Sequence, residues 1–164
     1  MIPHQPIDVA IIGGGPAGYA AAIYAARSNL TMAVIEQGMS GGQIATTNEV
    51  ENYPGIPLLS GAELGERFQQ HAEGLGAQVT WSMVTGIEYD ADTALFTVHH
   101  DTGDTLASSV IACMGATPRS AGFVGEDTYR GRGVSYCATC DGMFFRGKQV
   151  FVVGGGNSAC EEAL

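Results

Sequence analysis

Two cysteines three positions apart have the most specific chemistry in this chain. Cys137 and Cys140 stand in SYCATCDGMFF, residues 135–145. A zinc site needs four ligands, usually from a second CxxC or a nearby histidine pair, and the remaining cysteines, Cys113 and Cys160, are single. A purely structural bridge across so short a loop would restrict the unfolded chain little. We therefore interpret the pair as a redox centre, whose thiolate attacks a disulfide, and predict no metal site.

A glycine loop follows the cysteine pair closely. The segment 148–164, KQVFVVGGGNSACEEAL, has a predicted strand at 150–153 and then Gly154, Gly156 and Ala159 in the pattern G-x-G-x-x-A. Such a loop between a strand and a helix is typical of sites that bind the pyrophosphate of a dinucleotide. The segment thus repeats a fingerprint that occurs first near the start of the chain.

The first copy of the fingerprint consists of Gly13, Gly15 and Gly18, within GGGPAGYAAAIYAAR. The first glycine permits a tight turn, the second lets a pyrophosphate approach the backbone, and the third lets the helix lie close to the sheet. The free N–H groups at the helix N-terminus favour phosphate binding. A second apolar run ends at Glu36, whose carboxylate suits a ribose 2′-hydroxyl. We predict dinucleotide binding here, and the spacing leaves both FAD and NAD open.

Alternating strands and helices are predicted to position these loops. Residues 7–12 and 31–36 are short apolar runs, as in buried parallel strands, and the segment between them is predicted to be helical to about Ser28. A second predicted helix begins after Ser60, a potential N-cap. It places three apolar side chains on one face, those of Leu64, Phe68 and Ala72.

Residues 79–112 contain three strand-like runs separated by turns, which predict a small antiparallel meander. The resulting order is strand, helix, strand, helix, meander, strand. This order predicts a doubly wound α/β domain with a β-meander insertion. Trp81 is expected in the core. The four histidines are interpreted as surface or loop residues: His4, His71, His99 and His100.

The length of 164 residues allows one domain, or one domain and part of a second. The net charge of −10 argues against nucleic acid or an anionic membrane surface as the partner. No secretory signal or apolar run of about 20 residues is present, so we expect a reducing, cytoplasmic setting. Five of the seven cationic side chains surround the cysteine pair: Arg119, Arg130, Arg132, Arg146 and Lys148. They are interpreted either as ordinary surface charge or as a docking patch for an acidic partner.

With these motifs together, the chain closely resembles the low-molecular-weight thioredoxin reductases. The resemblance covers essentially the whole chain through GGGPAG (13–18), GGQ (41–43), ENYPG (51–55), CMGATPR (113–119), GVSYCATCDG (133–142) and GGGNSACEEAL (154–164). It implies a Rossmann-like FAD-binding domain at 1–118 and the start of an NADPH-binding, redox-disulfide domain at 119–164. It also implies a homodimer and an enzyme that passes electrons from NADPH through FAD to a Cys137–Cys140 disulfide and then to thioredoxin.

The resemblance also implies roles for individual residues. Twelve residues are expected at the FAD: Gly13, Gly15, Pro16, Ala17, Gly18, Glu36, Gln37, Gly42, Gln43, Asn52, Val84 and Gly115. Those expected at the NADPH are Gly154, Gly156, Asn157 and Ser158. Cys140 matches the thiol that lies against the flavin, Cys137 the one that attacks the partner, and Asp141 the acid–base residue. The region that receives thioredoxin is matched by Arg132, Met143 and Phe144.

Two departures from the family pattern affect these expectations. Cys113-Met114-Gly115 replaces the usual Ala-Thr-Gly and removes a hydroxyl near the expected flavin, with Cys113 expected to be a small buried residue. The family completes its FAD domain after the NADPH domain, and this chain stops within a predicted helix at Leu164. We therefore expect a fragment that does not turn over NADPH by itself. A flavoprotein reductase of a peroxiredoxin and a non-catalytic flavin-binding redox switch are the alternatives.

Overall fold

The computed structural model describes residues 5–164, which form two compact units that divide between Gly115 and Ala116. The first unit contains β1 (Ile7–Ile12), α1 (Pro16–Arg27), β2 (Met32–Glu36), a 3₁₀ helix (Gly42–Thr46), α2 (Gly61–Gly74), β3 (Gln78–Trp81), β4 (Val84–Asp90), β5 (Leu95–His100) and β6 (Gly103–Ala112). The second contains α3 (Glu126–Tyr129), α4 (Ala138–Asp141), a second 3₁₀ helix (Gly142–Phe145) and α5 (Asn157–Glu162). The assignment of each unit to one cofactor, with a boundary after residue 118, stays a prediction.

The first unit is built on four parallel strands in the order β3-β2-β1-β6. Alternate side chains of a strand share one face, so Val9, Ile11 and Val34 point together towards the helices. There they pack against Tyr19 of α1 and Ala72 of α2, both fully buried. This layered α/β arrangement confirms the predicted fold class, and it places the loop between β1 and α1 at the carboxyl edge of the parallel strands.

The antiparallel strands β4, β5 and β6 cover the other face of the same sheet. β6 pairs with β5 through Gly103 to Ala107 and with β1 through Ala107 to Ala112, so it belongs to both parts. Only Ser82 and Met83 connect the outermost strands β3 and β4. A flat six-stranded sheet would separate these strands by about 24 Å, whereas three peptide units span at most about 11 Å. The sheet therefore folds over itself.

This fold encloses a second apolar cluster of Ala10, Ile12, Ile35, Val98 and Ala107. The meander predicted from the sequence is confirmed, but it is not a separate insertion followed by a further strand. Its last strand, β6, is itself the strand that pairs with β1. The difference arises because β6, ten residues long, pairs with β5 along its first half and with β1 along its second half.

The predicted start of α2 is confirmed by its capping geometry. Ser60 Oγ accepts a hydrogen bond from the Glu63 N–H at 3.2 Å, which satisfies one of the free donors of the first turn. Leu64 and Ala72 are fully buried, and Phe68 packs against the first core cluster. The apolar face predicted from their spacing therefore covers the parallel sheet.

The prediction that Trp81 lies in the core is wrong. Trp81 is the last residue of the outer strand β3, where one flank of the sheet is open, and it is 50% exposed. His71 is exposed on α2, while His99 and His100 are half-buried on the meander and bonded to polar neighbours. His4 lies outside the described residues. Across residues 5–164, no helix is long and apolar enough to cross a membrane.

The strand predicted at 150–153 is absent from the second unit. The chain there has no regular structure, and all four side chains are exposed, from 48% for Val152 to 84% for Phe151. A strand requires a neighbour to satisfy its N–H and C=O groups, and none of the described residues pairs with this segment. The glycine loop and the short helix α5 nevertheless follow as predicted.

Candidate redox centre and dinucleotide loop

Cys137 and Cys140 are joined by a disulfide, with their Cα atoms 5.3 Å apart. The single turn α4 creates this proximity, since residues three apart lie on the same side of a helix. Cys137 is its N-cap, and its Sγ accepts a hydrogen bond from the Cys140 N–H at 3.2 Å. Cys140 is exposed and Cys137 half-buried, so the bond is open to a reacting group. The pairing that the resemblance implies is therefore present.

Asp141 is held against the same turn by Ser135. The Ser135 hydroxyl lies 2.6 Å from Asp141 Oδ2, a distance typical of a hydroxyl that donates to a carboxylate. The same Oγ accepts the Cys137 N–H at 3.1 Å. Ser135 was not singled out from the sequence. The one feature of the sequence that could have indicated this role is a polar residue two positions before the first cysteine of the pair.

Glu126 is a buried carboxylate that anchors the chain before the disulfide. It accepts hydrogen bonds from four groups: Ser120 Oγ at 2.7 Å, Ala121 N at 2.8 Å, Gly122 N at 2.6 Å and Tyr136 Oη at 2.5 Å. These donors, Tyr136 foremost, lower the pKa of Glu126 from 4.5 to about 2. The guanidinium of Arg130 lies 4.7 Å from the centre of the Tyr136 ring. The segment 120–122 and the residue preceding Cys137 are thereby fixed to one ionised group, which the sequence analysis also missed.

A further carboxylate connects α5 to the start of α4. Glu162 Oε2 accepts the N–H of Ala138, the residue after Cys137, at 2.7 Å. The free N–H groups of this short helix are therefore shared between Glu162 and the Cys137 sulfur. Negative groups are favoured at this position by the dipole of the turn.

The predicted docking residues are accessible. In the sequence they lie close to the redox turn, which is the helical turn α4 that joins Cys137 to Cys140. Met143 and Phe144 are 62% and 48% exposed on the 3₁₀ helix that continues α4. Arg132 donates from Nη2 to the Thr128 carbonyl oxygen at 3.1 Å, a contact that leaves its charge at the surface. Two other members of the basic group lie over aromatic rings of their own chain, Arg130 over Tyr136 and Lys148 over Phe145.

In the glycine loop of the first unit, Gly13 and Gly18 have no room for a side chain, whereas Gly15 has open space in front of it. A Cβ on Gly18 would lie 1.8 Å from the Gly13 carbonyl oxygen, and one on Gly13 would lie 2.3 Å from the Cys113 carbonyl oxygen. Gly13 also has φ +105°, which disfavours any other residue. A Cβ on Gly15 would meet only the Gly41 carbonyl oxygen, at 4.0 Å. The space in front of Gly15 is therefore where a ligand can approach the backbone.

Glu36 lies beside this loop at the end of β2. Its Oε2 accepts the Gly14 N–H at 2.5 Å, and its Oε1 accepts the Gly38 N–H at 2.7 Å. Each carboxylate oxygen has a further lone pair, so the group remains able to accept from a ribose hydroxyl. Ordered backbone N–H groups thus orient the carboxylate that the sequence analysis predicted for this role.

The segment GGQ is brought to the same loop. The Gly41 N–H donates to the Gly14 carbonyl oxygen at 2.8 Å, and a Cβ on Gly42 would lie 3.5 Å from Gly15 Cα. Gly42 begins the 3₁₀ helix that contains Gln43. Gly42 therefore lies next to the first glycine loop, while its expected place near the flavin stays a prediction.

The other predicted cofactor residues are more dispersed. Pro16 and Ala17 are exposed in the first turn of α1, and Gln37 and Asn52 are exposed in loops. Val84 packs beside the second apolar cluster, while Gly115 has φ +65° with open space around it. In the second loop, Gly154 has φ +139°, Gly156 caps α5, and Asn157 and Ser158 are exposed in its first turn.

Cys113 lies at the carboxyl end of β6, next to Gly13. Its N–H donates to the Ile12 carbonyl oxygen at 2.8 Å, and its side chain packs against the first core cluster. The thiol is only partly buried, in contrast to the expectation of a buried residue, because the chain leaves the sheet at this point. Burial nevertheless raises its pKa above the ordinary value for a thiol.

Comparison with known proteins gives consistent relationships. A family model described as pyridine nucleotide-disulphide oxidoreductase matches residues 7–164. A thioredoxin reductase of Bacillus subtilis (strain 168) is 45% identical over 100% of this chain and 51% of its own length. A glucosaminate ammonia-lyase of Pseudomonas fluorescens is 44% identical over the same shares. The crystal structure of thioredoxin reductase from Streptococcus pyogenes MGAS5005 superposes with a TM-score of 0.85 at 47% identity, over 96% of this chain and 51% of that one. The chain thus spans about half the length of the curated relatives it matches.

Proposed function

We propose that this chain, which belongs to the pyridine nucleotide-disulphide oxidoreductase family, supplies the flavin loop and the redox disulfide of an NADPH-dependent thioredoxin reductase. The observation that carries the proposal is the accessible disulfide between Cys137 and Cys140, formed across one helical turn. The activity is proposed for the intact gene product that contains this chain. Thioredoxin is the proposed substrate because the Bacillus subtilis relative and the Streptococcus pyogenes structure are both thioredoxin reductases.

FAD fits the first glycine loop. Backbone atoms lie close to Gly13 and Gly18, whereas the space at Gly15 is open. Among the three glycines, only Gly15 therefore leaves room for a pyrophosphate. The exposed first turn of α1 would offer its N–H groups to the phosphates, and the Glu36 carboxylate is proposed to accept from the ribose. When bound, FAD would carry two electrons between a nicotinamide and the disulfide. The residues proposed to hold FAD are Gly13, Gly15, Pro16, Ala17, Gly18, Glu36, Gln37, Gly42, Gln43, Asn52, Val84 and Gly115.

NADPH is proposed for the second glycine loop. Gly154, Gly156, Asn157 and Ser158 would face its pyrophosphate, as the repeated fingerprint suggests. The segment before this loop, residues 150–153, forms no strand in the described part of the chain, and the loop leads into the helix α5. The proposal for NADPH therefore rests mainly on the repeat and on the family.

The redox turn suits two successive exchanges. Reduction of the disulfide consumes two electrons and two protons, and Asp141 is proposed to deliver one of the protons. The Cys137 thiolate then attacks a sulfur of the thioredoxin disulfide, and Cys140 attacks the mixed disulfide to release dithiol thioredoxin. The Cys140 N–H that points to Cys137 Sγ stabilises the thiolate form of the attacking residue.

Thioredoxin is proposed to dock on Arg132, Met143 and Phe144. Met143 and Phe144 are an exposed apolar pair of the kind that is buried at the centre of an interface, and the exposed charge of Arg132 would add attraction to an acidic partner. The homodimer and the cytoplasmic setting implied by the resemblance belong to the same proposal. A lyase reaction, as in the name of the Pseudomonas relative, is not proposed, since an elimination has no net transfer of electrons for a disulfide to accept.

Anaerobic NADPH titration of the intact gene product tests the proposal. We expect the flavin absorption to bleach and thioredoxin to be reduced. Cys137→Ser should abolish thioredoxin reduction while the flavin still bleaches. Cys160→Ser, which changes an exposed thiol on α5, is the matched control and should retain turnover. Reduction of thioredoxin by Cys137→Ser would contradict the assignment. Reduction of a peroxiredoxin but not of thioredoxin, or flavin binding without turnover, would favour the two alternative functions.

A further inference from the structure

Ser135 contacts both ends of the redox turn through one oxygen atom. Its Oγ lies 2.6 Å from Asp141 Oδ2 and accepts the Cys137 N–H at 3.1 Å. The carbonyl oxygen of Cys137 lies 3.2 Å from the same Oγ, as a second acceptor for the serine proton. A hydroxyl donates one hydrogen bond and accepts two, so it can satisfy only one of these acceptors at a time.

The two acceptors correspond to the two protonation states of Asp141. An ionised carboxylate only accepts, and the short distance to Oδ2 places the serine proton on this bond. When Asp141 takes up a proton, its hydroxyl becomes a donor to Ser135 Oγ. The serine proton then turns to the Cys137 carbonyl oxygen. Because every group keeps a partner in both states, the change of protonation leaves no polar group unpaired.

We infer that Ser135 is a positioning residue for proton transfer by Asp141, with a hydroxyl that rotates between Asp141 and the Cys137 carbonyl as the carboxyl loses and gains its proton. The inference rests on the proposed function. Two electrons from NADPH break the Sγ–Sγ bond, and two protons complete the two thiols, one from Asp141 and one from solvent. When the dithiol then passes its two electrons to the thioredoxin disulfide, its two protons leave, one to Asp141 and one to solvent, and thioredoxin takes up two protons from solvent to become a dithiol.

Ser135→Ala in the intact gene product tests the inference, since it removes the rotating hydroxyl and leaves Asp141 in place. We expect thioredoxin turnover to fall about tenfold, as for loss of one hydrogen bond to a charged group, while Ser135→Thr recovers most of it. Bleaching of the flavin at one equivalent of NADPH should remain. Ser108→Ala, an exposed serine on β6, is the matched control with unchanged turnover. Should Ser135→Ala not fold, Ser135→Gly removes the same hydroxyl.

A double-mutant cycle with Asp141→Asn separates positioning from a structural role. The amide of Asp141→Asn carries no exchangeable acid proton, so Ser135→Ala should cause little further loss in that background. An equal tenfold loss in both backgrounds, or full turnover of Ser135→Ala alone, would overturn the inference. If the unmodified protein binds flavin but does not reduce thioredoxin, the proposed function fails instead.

Discussion

Alanine at Gly15 and alanine at Gly18 should have opposite consequences, although the two glycines belong to one loop. The Cβ of Gly18→Ala would lie 1.8 Å from the Gly13 carbonyl oxygen, so α1 must move away from the loop. The Cβ of Gly15→Ala has no atom nearer than 4.0 Å, and Gly15 has φ −81°, which alanine adopts freely. The first change should therefore act mainly on folding, and the second should act mainly on what binds in front of the loop.

The magnitudes follow from the competing effects at each position. Overpacking of this severity costs about 3 kcal/mol, whereas replacing a helical glycine by alanine returns about 1 kcal/mol of helix propensity. Gly18→Ala should thus lower the free energy of unfolding by about 2 kcal/mol. Gly15→Ala should lower it by less than about 1 kcal/mol, the cost of a poorer N-cap. Its methyl group occupies the place proposed for the pyrophosphate, so FAD affinity should fall at least about tenfold, or 1.4 kcal/mol.

Urea unfolding of the flavin-free intact protein, followed by far-UV circular dichroism, measures the first effect without the contribution of bound FAD. Titration of the same apoproteins with FAD, followed by flavin fluorescence, measures the second. A Gly18→Ala protein with an unchanged urea midpoint would refute the close approach of α1 to Gly13. If Gly15→Ala binds FAD with unchanged affinity, the open space at Gly15 is not the pyrophosphate position.

Two further predictions concern the second unit. Because the pKa of Glu126 is lowered to about 2, its contribution to stability should be complete above its usual pKa of 4.5 and be lost as the pH falls through about 2. Hydrogen-exchange protection of the Ala121 and Gly122 amides should fall over that range in the unmodified protein and be low and pH-independent in Glu126→Gln. Protection that is equal in both proteins at every pH would show that the carboxylate does not hold this segment. Arg132→Glu should raise the KM for thioredoxin several-fold with kcat unchanged, and this effect should shrink in high salt. Charge reversal at Arg67, exposed on α2, serves as the control, and an equal KM for Arg132→Glu would identify the basic group as ordinary surface charge.

The first unit could be predicted largely from the sequence because its signals are local. The apolar runs of β1 and β2, the glycines between them and the alanines of α1 each restrict the backbone within a few residues. The double pairing of β6 was not predictable in this way. It joins one strand to two partners that are far apart in sequence, and the hydrophobic pattern of β6 does not name either partner.

The two wrong predictions, a strand at 150–153 and a core position for Trp81, have the same origin. Residues 150–153 have strand-like composition, but composition supplies no partner for the backbone, and the segment remains exposed. Trp81 is apolar enough for a core, and only its place on an outer strand explains why half of it is exposed. In both cases the outcome was decided by neighbours that are distant in sequence.

Ser135 and Tyr136 show most clearly what the sequence motif leaves out. These consecutive hydroxyls precede Cys137, and each donates to a different carboxylate, Ser135 to Asp141 and Tyr136 to Glu126. Glu126 is 3% exposed and accepts from four donors, so it stays ionised and can serve as a fixed anchor. Asp141 is half-buried and accepts from the Ser135 hydroxyl, for which the Cys137 carbonyl oxygen is a second acceptor. The proposed difference between the two carboxylates, a fixed anchor at Glu126 and proton transfer at Asp141, therefore rests on the number and mobility of their donors.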